Sequence, residues 1–172
     1  MEKNNNTELM RIVNLERIHN DKAYYIVTAL PGECKALAKR FNLVALESLE
    51  ARYDIDPTKT SRGGYRLKGH LHAAVVQSCV LTLAPVREVV NVDIELQVVD
   101  KKYEDLDPLD PELEDDFEYS ILDEIDLGEI TAQYLSLSLN PYPKSPDSDS
   151  SKILEPFQDK ENPFSVLEKL KS

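Results

Sequence analysis

Two long β-patterned runs, Tyr65 to Val80 and Val86 to Val99, constrain this chain more than any other feature. On the first, Arg66, Lys68, His70 and His72 alternate with Leu67, Gly69, Leu71, Ala73 and Val75. On the second, Asn91, Asp93, Glu95 and Gln97 alternate with Val90, Val92, Ile94, Leu96 and Val98. Successive strand side chains point to opposite faces. An antiparallel pairing of even with odd positions therefore gathers the apolar residues on one face and the polar ones on the other. A register with His72 opposite Asp93 and His70 opposite Glu95 has this property. A slip by one residue would bury both histidines and is rejected. The link Leu81-Thr82-Leu83-Ala84-Pro85 has no Asn-Gly signal, so its turn is longer than two residues.

A hairpin needs partners to bury its apolar face. Leu9 to Leu15 reads as one strand and Ala23 to Leu30 as another. Pro31 and Gly32 then punctuate the chain. Cys34, Leu37, Ala38 and Phe41 recur at helical spacing, which predicts a helix from Glu33 to about Phe41, with Pro31 near its start. Leu46 to Ile55 suits either a helix or a strand; the sheet's need for partners and the Asp56-Pro57 turn favour a strand. Asp123 or Asp126 can cap a helix running to about Leu137, with Leu127, Ile130, Tyr134 and Leu137 on one face. The expected fold is α+β: a twisted, mostly antiparallel sheet, with barrel-like closure as one form open to it, two main helices and a short C-terminal helix around Asn162 to Leu170. The domain expected spans residues 9–143, between a disordered stretch of residues 1–8 and a linker with its helix at 144–172.

The charge is concentrated in one segment. Of the formal net −12, residues 93–129 contribute 16 Asp/Glu against two Lys, while the first 92 residues carry 13 Lys/Arg against 10 Asp/Glu. Residues 100–120, with Pro108 and Pro111, read as a mobile acidic loop. Glu104, Asp105, Asp107, Glu114, Asp115 and Asp116 are its candidates for docking a basic partner. The overall acidity opposes nonspecific wrapping of DNA, which needs many cationic contacts. No apolar run approaches a membrane span, and the start lacks a secretory signal, so a cytoplasmic location is expected.

The polar hairpin face offers Arg66, Lys68, His70 and His72 as RNA-contact candidates, with Tyr65 and Tyr103 nearby for stacking. His70 and His72 opposite carboxylates raise a metal-dependent enzyme as the competing class, but cross-strand pairing on a solvated face explains them as well. A general acidic chaperone is the third class. Five glycines leave no phosphate-cradling loop or dinucleotide pattern. Cys34 and Cys79 are too few for a disulfide scaffold and read as free, packed thiols. No catalytic residue, cofactor or metal ligand is assigned.

Three stretches together resemble a known family. They are Gly69 through Val86, with Gln77-Ser78-Cys79-Val80-Leu81-Thr82-Leu83-Ala84-Pro85 at its end; Ile125-Asp126-Leu127-Gly128-Glu129-Ile130, continuing to Asn140-Pro141-Tyr142-Pro143; and Asn162-Pro163-Phe164-Ser165-Val166-Leu167. In this order they are similar to the YceD-like family of large ribosomal RNA subunit accumulation proteins, in a cysteine-poor form like that of alphaproteobacteria. Cys79, Pro85, Asp126 and Leu127 are the family-motif positions. The resemblance implies a non-enzymatic bacterial role in synthesis, processing or accumulation of 23S ribosomal RNA. The implied partners are that RNA or its precursor, or a basic ribosomal protein. Many members have Cys-x-x-Cys at the hairpin turn and further cysteines after the Pro-rich exit. Here Thr82 replaces the second, and Lys144 to Ser151 has none, so no zinc role is carried over.

Overall fold

The computed structural model describes residues 8–18, 22–57, 64–100, 117–120 and 124–146. Its elements run β1 (Ile12–Asn14), β2 (Ala23–Thr28), α1 (Pro31–Arg40), β3 (Ala45–Pro57), β4 (Tyr65–Ser78), β5 (Pro85–Asp100), β6 (Phe117–Ser120), β7 (Glu124–Asp126) and α2 (Leu127–Ser138). Strands β2-β3-β4-β5-β6 form one sheet in that order, antiparallel except for β5 with β6. β1 and β7 form a separate two-stranded ribbon. The sheet stays open: among the described residues β2 and β6 are its two edges and do not pair. Barrel-like closure is thus corrected. The apolar face is covered by α2 and the N-terminal segment instead of by the sheet's own far edge.

The alternation sorts the hairpin faces as the sequence dictates, except that Gln97 of the polar face is buried where β5 pairs with β6. Leu67, Leu71, Ala73 and Val75 of β4 and Val90, Ile94, Leu96 and Val98 of β5 are buried in one core with Leu49, Ala51, Tyr53 and Ile55 of β3. The register differs from the expected one by two residues. His70 faces Asp93, His72 faces Asn91 and Lys68 faces Glu95. The turn sets this: the Cys79 N–H donates to the Ala84 carbonyl at 2.8 Å and brings Ser78 opposite Pro85. A shift of two preserves side-chain parity, so the faces are unaffected.

Other boundaries move for local reasons. Only Ile12–Asn14 of the expected first strand pairs, because Leu15–Arg17 closes into a 3-10 turn. Glu8, placed by sequence in the disordered start, reaches Arg40 at 3.3 Å. The acidic stretch expected to be a loop to Ser120 ends in strand β6. There Phe117 and Tyr119 bring β propensity into acidic surroundings. Glu124 and Ile125, expected to start a helix, belong to β7, and the helix begins after Asp126. Ser145, expected in the linker, is tied back by its N–H to Cys79 Sγ at 3.3 Å. The C-terminal helix expected around Asn162 to Leu170 lies outside the described residues.

α1 is fixed at the sheet end by ion pairs at both of its ends. Arg11 grips both Glu33 oxygens at 2.9 Å, and Glu33 also accepts the Leu30 N–H at 2.7 Å. That guanidinium holds the Glu33 carboxyl below its ordinary range. Arg40 grips Glu129 of α2 at 2.7 and 2.9 Å. Asn42, at φ 54, turns the chain out of the helix toward β3.

Candidate nucleic-acid interface

The polar face of the sheet is a lattice of cross-strand pairs. Ile26, Arg52, His70 and Asp93 form one row across β2 to β5. Thr28, Glu50, His72 and Asn91 form the next, and Tyr24, Asp54, Lys68 and Glu95 the one on the other side. Lys68 pairs with Glu95 at 2.8 Å, His70 Nδ1 with Asp93 at 2.8 Å and His72 Nδ1 with Asn91 Oδ1 at 2.8 Å. Arg52 pairs with Glu50 at 2.9 Å. Lys68 holds the Glu95 carboxyl below its usual range. The four RNA-contact candidates, Arg66, Lys68, His70 and His72, therefore do share one exposed face of β4. Lys68 and His70 face carboxylates, His72 faces an amide and Arg66 also acts on Glu95, so on their own they make a largely charge-compensated surface, not a cationic one.

The two histidines bond different partners on adjacent rows, a ladder arrangement rather than a chelate. Among the described residues no group of three His, Cys, Asp or Glu could hold a metal ion. Of the docking candidates, Glu104, Asp105, Asp107, Glu114, Asp115 and Asp116 all lie outside the described residues.

Tertiary structure adds what the hairpin lacks. A groove of about 1090 Å³ opens where α1 crosses the sheet end. Pro31, Cys34, Lys35, Ala38 and Lys39, spaced three and four apart, supply one wall from a single helix face. The other wall is β3, with Thr28, His70 and His72 beyond it. The register shift between Leu46 and Ser48 bulges β3 at this place, a device that re-aims side chains and loosens a ladder. Its lining is mainly apolar, through Ala29, Leu43, Val44, Leu46 and Leu49. Among the described residues Lys35 and Lys39 have no ion pair, whereas Glu47 and Glu50 on the opposite wall are matched by Arg87 and Arg52. The uncompensated charge at the groove is thus positive, within a chain of net −12. Sequence reading missed Lys35 and Lys39. Their signal was an i,i+4 lysine pair, and only the packing of α1 shows where it points. It also missed Tyr24, 76% exposed on the same sheet face.

The family-motif positions serve the scaffold. Asp126 Oδ1 accepts N–H groups from Arg11, Gly128 and Glu129 at 2.8, 2.9 and 3.3 Å, capping α2 while holding the N-terminal segment. Leu127 is buried, and Pro85 starts β5. Cys79 is buried at the turn, and its thiol is pulled down to about 6 by the Thr82 hydroxyl first and then the Ser145 N–H. Cys34 moves oppositely, because burial raises it. A thiol depressed in the folded state adds stability that is complete above its unfolded value. That contribution disappears as pH falls through about 6. The expected result is a denaturation midpoint that rises from pH 6 to 9, with a flatter profile in Cys79→Ala; parallel profiles would refute the thiolate.

Compared with known proteins, residues 67–171 match the model of a family described as large ribosomal RNA subunit accumulation protein YceD. No curated protein and no solved structure matches the chain.

Proposed function

The chain belongs to the YceD family, and from that premise we propose that it is a non-enzymatic factor that supports 23S ribosomal RNA by binding it. The RNA is bound on the polar sheet face and the groove beside α1. The observation that carries the reading is the groove itself. It combines an apolar lining with two lysines that have no acidic partner among the described residues, in a protein whose acid is concentrated in residues 93–129. Local positive potential on an acidic protein steers an anionic partner to one place. The family description supplies the kind of RNA. A ribosomal role supports a cytoplasmic location, and no described helix is long and apolar enough to cross a membrane.

Depletion of the protein is expected to lower 23S relative to 16S RNA in the cell, with return to the normal ratio on re-expression. An unchanged ratio would reject the proposal.

A further inference from the structure

We infer that the groove and the adjoining sheet rows form a track for unpaired RNA, with bases entering the groove and one base stacking on Tyr24. The inference rests on the RNA-binding reading above and narrows it to single strands.

Shape is the first argument. The groove is concave, walled by a helix on one side and a bulged strand on the other, and its lining is mostly apolar. A duplex presents a convex phosphate surface with its bases turned inward, so it cannot occupy such a groove. An unpaired strand can turn its bases into it. Charge is the second argument. Lys35 and Lys39 supply only two cations free of acidic partners among the described residues, too few to hold a duplex through phosphates alone. Affinity must then come from base contacts with apolar and aromatic surface.

Position is the third. Thr28 lines the groove, and Tyr24 lies four residues along the same strand face, about 13 Å away at strand rise. Ile26, 66% exposed, lies between them in the row of Arg52 and His70. Tyr24 and Ile26 thus extend the apolar floor from the groove along the sheet. Exposed aromatics on a sheet beside cations are the usual platform for single-stranded nucleic acid. A basic peptide is disfavoured here because both lysines would repel it.

The test is fluorescence polarisation with a labelled mixed-sequence RNA oligomer, single-stranded or annealed to its complement, over a salt series. The 172-residue chain is compared with Lys35→Glu/Lys39→Glu, Tyr24→Ala and the single charge-reversal control Lys144→Glu. The single strand is expected to bind at least about tenfold more tightly than the duplex. Its log K should fall with log salt at a slope of about −1.4 for two phosphates. The lysine double variant should lose about tenfold or more and flatten the slope, and Lys144→Glu should change little. Tyr24→Ala should lose roughly 5- to 150-fold, the range for one base stack. Equal binding of duplex, or displacement by poly-Glu peptide as effective as by unlabelled RNA, overturns the inference. RNA binding that survives all groove substitutions also overturns it and moves the RNA off the groove, leaving intact only that the protein binds RNA. Capture of a basic ribosomal protein with no binding of any RNA overturns both.

Discussion

Gly128→Ala is expected to destabilise the protein by about 3 kcal/mol, the upper part of the range for forced overpacking. At this chain size that is a loss of roughly 6–12 °C in melting temperature. A Cβ on Gly128 would meet the Leu9 carbonyl oxygen, with the Leu9 carbonyl carbon at 2.8 Å and the Arg11 nitrogen at 3.1 Å. These are backbone atoms, so no side chain can swing aside. Relief requires moving the N-terminal segment, which breaks the Arg11 N–H bond to Asp126 and the Leu127 N–H bond to the Arg11 carbonyl at 3.0 Å. Asp126→Ala should damage the same clasp from the other side. It removes the helix cap and leaves the Arg11 and Gly128 donors without their acceptor, together about 2–3 kcal/mol. Gly32→Ala is the control. Nothing lies within 4 Å of its new methyl group, and alanine is the better helix former by up to about 1 kcal/mol. Urea denaturation of the three variants checks the ordering; a Gly128→Ala protein as stable as Gly32→Ala would refute the clasp.

Tyr53→Ala should cost about 3–5 kcal/mol, the range for removing a buried aromatic. Tyr53 is 1% exposed, its hydroxyl lies 2.7 Å from Thr131 Oγ1 of α2, and its ring covers Gly69 on the neighbouring strand. Burial pushes its phenol pKa up, so the group stays neutral across ordinary pH. Tyr53→Phe should cost only about 1 kcal/mol. Thr131 keeps its bond to the Leu127 carbonyl, and packing is unchanged. Gly69→Ala should cost about 1–3 kcal/mol, because its methyl group would sit 2.6 Å from a ring with no room to move. The double variant Tyr53→Ala/Gly69→Ala should be less damaging than the two singles added together by about 1 kcal/mol or more, since one change vacates the space the other fills. Additive costs would show that ring and glycine do not share that space.

The hairpin faces were legible before any coordinates because parity is a local property. Arg66, Lys68, His70 and His72 share a face whatever the register, provided the opposing sum stays odd. The exact partners were not legible. They depend on how Cys79 to Ala84 closes, with Leu83 at φ 60 in a conformation its sequence does not announce. The helix at Pro31–Arg40 was legible from spacing and from proline at its start. The strand at Glu124–Asp126 was not, since its partner is Ile12–Asn14, more than a hundred residues away. Asp126 illustrates both halves. Its place before an apolar helical run marks a cap, but its bond from the Arg11 N–H, beyond the two capping bonds, comes from the chain folding back.

Pattern and composition were enough to show which hairpin faces are polar, that helices lie after Ala29 and near Leu127, that the acid is concentrated in residues 93–129, and which family motifs are present. These follow from periodicities of two and 3.6 and from composition, which need no knowledge of neighbours. Only the packed arrangement settled which residue each hairpin cation meets, and that Lys35 and Lys39 face a groove. It also decided that Gly69 and Gly128 are contact points. Each of these depends on residues distant in sequence becoming adjacent. Pairing of opposite charges and closeness of backbones are properties of the packed arrangement, which a one-dimensional pattern does not specify.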